Sequence, residues 1–337
     1  MSQQGHIKEI ANCRPGDIPE FIFSSSQPIV LRDFAVEWPV VKEAKISSEK
    51  AAEYLRGLYQ GNPIFACYGP PENNGRVFYN EQMNGFNFQG SKVDLNLVLD
   101  KLLAQSKQQN PPTLYVSSTE INSVLPQFNH LNNAGLAHLN PLTSIWLGNQ
   151  TRIAAHYDFP HNLACCIAGR RRFTLFPPEQ VANLYVGPME LSPGGQDISL
   201  VDLDNPDFDT YPKFKQALAA SLTTELAPGD ALFIPSMWWH HVAGLESFNA
   251  LITHWWRDTP AYLGRPEAAL ELAILSLRSL PDAQRKAWQN LFEHYVFEPD
   301  TQKDAHIPAD AKGMLTLPLD LQNAKKIRAG LLNKLKV

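Results

Sequence analysis

Two stretches decide how this chain folds: HYDFPHNLACCIAGRRRFTLFPP at residues 156–178 and PGDALFIPSMWWHH at residues 228–241. The first holds two apolar runs of strand length on either side of Gly169, which predicts a β-hairpin that turns near this glycine. The second begins with Pro-Gly-Asp, a turn signal, and continues with an apolar run that Pro235 ends. Both stretches therefore predict short strands joined by tight turns.

The first stretch opens with His156-Tyr157-Asp158, the one His-x-Asp in the chain. Side chains two residues apart point to the same face of a strand, so this imidazole and this carboxylate can converge on one metal ion. A second histidine from a distant strand would complete a site of two histidines and one carboxylate, which leaves coordination positions open and suits Fe(II) in oxygen chemistry. Either His240 or His241 can supply that ligand, and strand alternation argues against both doing so.

The pattern of short apolar segments and turns extends well beyond these stretches. Between Thr113 and about Trp256 it is typical of an all-β sandwich or barrel. The N-terminal part mixes strand and helix patterns, and the chain returns to helical spacing after Pro260. The predicted helix at residues 267–280 is apolar over much of its surface. Such a surface either packs on the barrel or forms a helical dimer interface.

Composition bounds the class of protein. The 337 residues are 44% hydrophobic and 19% charged, which predicts a soluble globular chain with a sizeable core. The net charge of −5 gives no electrostatic footprint for nucleic acid, so we predict no nucleic-acid partner. No apolar run is long enough for a membrane helix, and the N-terminus lacks a signal-peptide core. Few cysteines without metal-site spacing predict reduced thiols and a cytoplasmic protein.

The run from about Pro28 to Trp256 resembles the JmjC-like, cupin-8 family of Fe(II)/2-oxoglutarate-dependent oxygenases. It is especially similar to the branch of the asparaginyl hydroxylase called factor inhibiting HIF. The matching stretches, in the order of the family, are Pro28–Arg32 with Trp38-Pro39, His156-Tyr157-Asp158, Asn162, residues 169–178, residues 201–208, Pro228-Gly229-Asp230 and residues 234–241. They span about two-thirds of the chain, which is more specific than any single motif.

The resemblance implies a mainly β fold with helices, a jelly-roll double-stranded β-helix over residues 111–260. It also implies an N-terminal α/β elaboration packed on the barrel, residues 1–110, and a C-terminal helical region, residues 261–337, that forms a homodimer. Among the two adjacent histidines it selects His240 as the iron ligand. The implied metal-binding and catalytic set is therefore His156, Asp158 and His240.

The cosubstrate 2-oxoglutarate chelates the metal through one end and needs a cation for its far carboxylate, because a buried carboxylate must be paired. By resemblance, Arg171 takes that role, where the branch commonly has lysine. Tyr115, Asn162 and His254 are implied as further cosubstrate-binding residues. Ile153 replaces a hydroxyl side chain of the asparaginyl hydroxylase, and His254 replaces an asparagine. These departures leave the cosubstrate geometry open.

The implied reaction is hydroxylation of a C–H bond with O2, which releases succinate and carbon dioxide. The implied substrate is a protein or peptide side chain, and a small molecule is not excluded. Two alternatives remain. One is a non-catalytic metal-binding cupin module that recognises a protein or a small ligand. The other is a different cupin metalloenzyme, against which the lack of a His-x-His near His156 counts.

Overall fold

The structure is a computed structural model that describes residues 5–298, 300 and 302–336. The chain divides into two units, Met1–Trp256 and Arg257–Val337. The strands of the described residues all belong to the first unit. In chain order they are β1 (Lys8–Ile10), β2 (Ile29–Leu31), β3 (Ile64–Gly69), β4 (Arg76–Val77), β5 (Gln89–Val93), β6 (Thr113–Glu120), β7 (Leu142–Gly148), β8 (Arg152–Tyr157), β9 (His161–Ala168), β10 (Arg171–Phe176), β11 (Leu222–Leu226), β12 (Ala231–Ile234), β13 (Trp239–Gly244) and β14 (Asn249–Trp256).

Along the chain, helices lie between and after the strands. The first unit contains α1 (Glu20–Phe23), α2 (Pro39–Ile46), α3 (Ser48–Leu58), α4 (Leu95–Gln105), α5 (Ile121–Val124), α6 (Phe128–Leu131) and α7 (Phe214–Ala219), with 3₁₀ turns at Pro71–Asn73, Ala137–Leu139 and Pro178–Asn183. The second unit contains α8 (Glu267–Leu277), α9 (Asp282–Phe292) and α10 (Leu321–Lys334), a π-helical turn at Glu293–Phe297, and 3₁₀ turns at Ala261–Leu263, Ala309–Ala311 and Gly313–Leu315.

The strands form two sheets. The larger has the order β1-β2-β12-β9-β14-β7-β6-β3-β5, and the smaller has the order β11-β10-β13-β8-β4. The four central strands β12-β9-β14-β7 and the four strands β11-β10-β13-β8 make the two halves of a jelly roll, which closes most strand edges. Strands from the first 110 residues extend both sheets. The predicted fold class, a mainly β jelly roll with helices, is confirmed.

The predicted hairpin around Gly169 is wrong. Strand β9 pairs with β12 and β14, whereas β10 pairs with β11 and β13, so the turn at Gly169 carries the chain from one sheet to the other. Gly169 has φ +67°, and a Cβ at this position would lie 2.3 Å from the carbonyl oxygen of Phe248. A glycine is needed here for both reasons.

The large sheet is covered on both faces, which explains its continuous apolar runs. On β9, Cys165 faces the core formed with helices α2 to α4, and Cys166 faces the core between the two sheets. The inner core also contains Phe173 and Leu175 of β10 and Val242 of β13. A strand buried on both faces has no solvent side, so the alternation of apolar and polar residues disappears.

The second unit is helical, and α8 has no buried residue. Its Leu275 is 73% exposed and its Leu270 is 47% exposed. Among the described residues, no helix has the length and apolar character that a membrane span requires.

Candidate active site

A cavity of about 340 Å³ opens between the two sheets of the first unit. Its walls include residues of β8, β10 and β13 of the smaller sheet and of β6, β7, β9 and β14 of the larger sheet. The loop before Ile198 adds Pro193, Gly194 and Gln196 at one side. The predicted site residues His156, Asp158, His240, Tyr115, Asn162 and Arg171 all line this cavity. The structure does not bring His254 to it.

Two histidines and one aspartate meet at one part of the cavity. His156 of β8 and His240 of β13 are direct cross-strand partners, and their ring centroids lie 4.3 Å apart. Asp158 follows the end of β8, and its Oδ2 lies 3.6 Å from Nε2 of His240. One ligand atom from each of the three residues lies within 4.8 Å of the other two. We call these residues the His–Asp–His cluster.

Backbone carbonyls orient both imidazoles of the cluster. Nδ1 of His156 lies 2.8 Å from the carbonyl oxygen of Ala154, and Nδ1 of His240 lies 3.0 Å from that of Trp238. A carbonyl only accepts, so each Nδ1 carries a proton, and in the neutral ring Nε2 is then the atom with a lone pair for a metal. Burial, together with the neighbouring His156, lowers the pKa of His240. Neutral imidazoles with free Nε2 atoms are the form that binds a metal.

A strained turn holds the two segments of the cluster together. Met237 has φ +69°, a conformation that costs a non-glycine residue free energy and that clusters at functional sites. Its N–H donates to the carbonyl oxygen of Asp158 at 2.9 Å. The N–H of Ser236 donates to Nδ1 of His161 at 3.2 Å, and its hydroxyl donates to the carbonyl oxygen of Phe159. The turn before β13 is thereby joined to the residues after β8.

The adjacent histidines face opposite sides of β13. His240 points into the cavity, whereas His241 is buried and does not line it. Burial lowers the pKa of His241 to about 4. The charge of Asp204 opposes this shift, and the charge of Arg152 adds to it. This agrees with the alternation argument that only one of the two rings reaches the site.

Arg171 is the only Lys or Arg among the described residues that line the cavity. It is 2% exposed, its Nη2 donates to the carbonyl oxygen of Trp146 at 3.4 Å, and its Nε has no hydrogen-bond partner in the described part of the chain. Burial lowers its pKa, and the Cys166 thiol and Tyr115 hydroxyl lie near enough to oppose that shift. A buried guanidinium without a carboxylate is costly, which indicates that a ligand supplies one.

Tyr115 and Asn162 line the cavity as well. Burial raises the pKa of Tyr115, so its hydroxyl stays protonated and can donate. Asn162 is buried, and its Oδ1 has no partner in the described residues. The residue directly across the sheet from Asn162 is Trp255, whose Nε1 is also buried and unpartnered. Polar atoms of this kind are normally satisfied by protein, water or a ligand.

His254 lies on the other face of β14. Its ring contacts the Trp38 ring at a centroid distance of 6.3 Å, and its Nδ1 lies 3.3 Å from the carbonyl oxygen of Leu163. Burial lowers its pKa to about 4. The cavity wall at this strand is formed by Leu251, Thr253 and Trp255 instead.

Sequence reasoning missed several polar residues of the cavity, and two of them, Trp255 and Gln196, matter for the site. Strand alternation could have revealed Trp255, because it lies two residues from Thr253 on the same face. Gln196 lies in an irregular loop, where no periodic signal exists. Ile153, noted as a departure, does line the cavity and makes that part of the wall apolar.

Comparison with known proteins identifies the family. The model of the cupin-like domain, Cupin_8, matches residues 15–262. The chain belongs to this cupin-like family. A lysine-specific demethylase, JMJ31 of Arabidopsis thaliana, is 34% identical over 116 residues, which are 34% of this chain and 21% of that protein. tRNA wybutosine-synthesizing protein 5 of Gallus gallus is 38% identical over 145 residues, 39% of this chain and 42% of that protein.

The cupin-like chain also has a JmjC relative that matches more of its length. JmjC domain-containing protein D of Dictyostelium discoideum is 26% identical over 272 residues, 74% of this chain and 56% of that protein. The chain thus spans between about a fifth and just over half of these relatives. The predicted cupin-8 and JmjC-like family is confirmed. JmjC proteins generally use Fe(II) and 2-oxoglutarate, and the His–Asp–His cluster offers the matching metal-binding residue types.

Proposed function

We propose that this cupin-like protein is an Fe(II)/2-oxoglutarate-dependent oxygenase that hydroxylates a C–H bond of a protein or peptide side chain. One observation carries the proposal: a single cavity contains the His–Asp–His cluster and a buried arginine, Arg171, that pairs with no carboxylate among the described residues. A metal site alone does not require that arginine, whereas the far carboxylate of 2-oxoglutarate does, because a buried carboxylate must be paired.

The donor set fits Fe(II). Two neutral imidazoles and one carboxylate are the ligands of the facial site that leaves positions open for a cosubstrate and oxygen. His156, Asp158 and His240 would hold the metal, with Nε2 of each histidine as the ligand atom. The backbone bonds of their Nδ1 atoms keep both rings in the tautomer that binding requires.

The spacing between cluster and arginine fits 2-oxoglutarate. Leu175 of β10 is opposite His240 and Arg171 is opposite Gly244, so Arg171 lies four residues farther along the strands (175 − 171). That separation is roughly 13 Å at about 3.3 Å per residue. An extended guanidinium side chain and a five-carbon dicarboxylate together span it. Arg171 would bind the far carboxylate with its planar fork, a role for which guanidinium suits as well as the family's lysine.

The protein residues position and shield the reactants. Iron with 2-oxoglutarate and O2 supplies, when bound, the oxidising chemistry that converts a C–H bond to C–OH and 2-oxoglutarate to succinate and carbon dioxide. The Tyr115 hydroxyl would donate to the far carboxylate, and Asn162 would contact the cosubstrate near the cluster. Apolar walls from Trp146, Ile153 and Val242 exclude water, which strengthens every charge interaction inside.

The substrate proposal favours protein over nucleic acid. The net charge of −5 argues against a polyanionic partner. The names of two relatives refer to lysine demethylation and to tRNA wybutosine synthesis. These names describe the relatives themselves and do not assign a substrate to this chain. We propose a side-chain hydroxylase similar to the asparaginyl hydroxylase branch, on the motif resemblance between Pro28 and Trp256. A cytoplasmic location is part of this proposal, supported by four cysteines that all are free thiols.

A homodimer is proposed through the C-terminal helices. The supporting observation is α8, an apolar helix without a buried residue in its unit. Exposed apolar surface of this kind is typical of partner sites. Replacing Leu270 and Leu275 together by glutamate should convert the protein to a monomer, measured as mass by light scattering. An unchanged mass in that variant would refute this interface.

The test of the catalytic proposal is anaerobic. We would titrate 2-oxoglutarate into the Fe(II)-loaded protein and follow the weak visible charge-transfer band of the chelate, with His156→Ala as a parallel sample. A band that is lost in His156→Ala is the expected result. Metal binding without a band would favour the non-catalytic metal-binding module, or another cupin enzyme, over the oxygenase.

A further inference from the structure

The loop of residues 188–197 connects directly to the His–Asp–His cluster. Its base is closed by the N–H of Gly187, which donates to the carbonyl oxygen of Ile198 at 2.9 Å. Ile198 forms an isolated bridge with His156, and the N–H of Ser199 donates to the carbonyl oxygen of Ala155 at 2.7 Å. The loop is therefore anchored on the strand that carries His156. We call this segment the 188–197 loop.

One side chain of the 188–197 loop reaches the cluster. Nε2 of Gln196 donates to Oδ1 of Asp158 at 3.1 Å, while Oδ2 of the same carboxylate faces His240. The two oxygens of Asp158 thus have different surroundings. The hydroxyl of Ser192 donates to the carbonyl oxygen of Gln196, which fixes the backbone from which the amide projects.

We propose that Gln196 is the positioning residue for Asp158, and that it keeps this carboxylate a one-oxygen ligand of the metal. The proposal rests on the proposed function, because it concerns the metal that the cluster would hold. A carboxylate whose second oxygen is held by an amide N–H is oriented before the metal arrives. Partners of this kind around a ligand are worth about 10- to 100-fold in metal affinity.

The number of coordination positions on the metal explains why Asp158 should bind through one oxygen only. Three protein ligands and a chelating cosubstrate would together leave a coordination position of the metal open for oxygen. A carboxylate that bound through both oxygens would take that position. The amide of Gln196 occupies Oδ1 and so preserves the opening. The amide is the one group of the 188–197 loop to which this role is assigned, and Pro193 and Gly194 of the loop line the cavity beside it.

A matched control separates the amide from the loop. The hydroxyl of Tyr79 donates to the carbonyl oxygen of Leu191 at 2.6 Å, so it fastens the same loop without contacting Asp158. Tyr79→Phe removes that fastening and leaves the amide in place. Gln196→Leu removes the amide donor and keeps a side chain of similar length.

The experiment measures Mn(II) affinity by electron paramagnetic resonance of the free ion, for the wild type, Gln196→Leu, Tyr79→Phe and His156→Ala. We expect Gln196→Leu to weaken binding about tenfold and to change the spectrum of the bound ion at saturation. Tyr79→Phe should match the wild type in both measurements. Melting temperatures of the metal-free proteins show that each variant is folded, and an unfolded Gln196→Leu would be replaced by Gln196→Ala.

The outcomes distinguish this role from the metal centre itself. Wild-type binding that is lost in His156→Ala but unchanged in Gln196→Leu would overturn the role of Gln196 alone. Equal weakening in Tyr79→Phe and Gln196→Leu would also overturn it, because the loop and not the amide would then matter. A wild type without Mn(II) binding, or binding that survives in His156→Ala, would instead refute the metal centre of the proposed function.

Discussion

The His–Asp–His cluster and a second set, Asn162, Arg171 and Trp255, share one cavity but satisfy their polar atoms differently. In the cluster, backbone carbonyls and Gln196 hold the side chains in place. In the second set, which we call the unpaired polar wall, one buried atom of each side chain has no partner in the described residues. The protein itself preorganises the cluster, whereas the unpaired polar wall has polar atoms that a bound ligand could pair with. Substitutions in either region should therefore weaken the binding of its ligand. In the ligand-free protein, losing a group that is already paired should lower the stability, whereas losing an unpaired group should raise it.

The largest expected effect is at His240 of the cluster, with its neighbour His241, which lies outside the cluster, as the comparison. His240→Ala should weaken Mn(II) or Fe(II) binding by about 100-fold or more, because it removes a ligand and not merely its support. His241→Ala should leave the metal affinity unchanged and lower the free energy of unfolding by about 1–3 kcal/mol, the usual cost of emptying a buried position. Isothermal titration and urea unfolding measure the two quantities. Equal metal affinities in the two variants would remove His240 from the metal site.

The second prediction concerns the arginine of the unpaired polar wall. Arg171→Met should lower the affinity for 2-oxoglutarate by about 100-fold, because the far carboxylate then lacks its cation. It should also raise the stability of the ligand-free protein by about 1 kcal/mol, or about 2–4 °C in melting temperature, since a desolvated charge disappears. Arg171→Lys is the control and should keep most of the binding. A less stable Arg171→Met would show that the guanidinium is already paired.

The third prediction uses His254, which lies outside the cavity. Burial lowers its pKa to about 4 in the folded protein, below the value of 6.5 expected when unfolded. Between these values the unfolded state binds the extra proton, so the stability is full above about pH 6.5 and falls as the pH drops toward 4. His254→Gln should reduce this slope by up to about 1.4 kcal/mol per pH unit.

Urea unfolding of the metal-free protein at several pH values between 4 and 7 measures the slope. His130→Gln, which changes an exposed histidine, serves as the control and should leave it as in the wild type. An unchanged slope in His254→Gln would mean that the ring is not buried in solution. It would also reopen the prediction that His254 contacts the cosubstrate.

The sequence predicted most of what is local and little of what depends on distant pairing. The His-x-Asp motif supplies His156 and Asp158, strand alternation allows only one of His240 and His241 to join them, and the family resemblance selects His240; the structure brings these three together. The pairing of β9 with β12 and β14 was not predictable, because two apolar runs around a glycine indicate a turn and not which strands lie beside it. Gln196 was missed because its contact is fixed by loop closure, not by spacing.

His254 and Trp255, neighbours on β14, also show that strand pairing cannot be predicted from local sequence. A register shift lies between Ala250 and Leu251, and motif resemblance placed a cosubstrate role on His254. The strand instead turns Trp255 toward the cavity. A shift of one residue in the register moves every side chain of a strand to the opposite face. Alternation without a known register therefore cannot decide which of His254 and Trp255 faces the cavity.

The smallest expected effect is at Trp255. Its ring contacts the Trp146 ring edge-on at 5.7 Å between centroids, and Trp255→Phe should keep that packing while removing the unpartnered N–H. We expect the affinity for 2-oxoglutarate to fall about five- to tenfold, the worth of one hydrogen bond, and the ligand-free protein to become slightly more stable.

Trp146→Phe is the matched variant, because Nε1 of Trp146 already donates to the hydroxyl of Thr253 at 2.9 Å. Removing that N–H breaks a bond within the protein, so the stability of the ligand-free protein should fall by about 1 kcal/mol. The two tryptophans thus lose the same group and should shift the melting temperature in opposite directions. If both shifts are downward, Trp255 is satisfied without ligand, and the unpaired polar wall then reduces to Asn162 and Arg171.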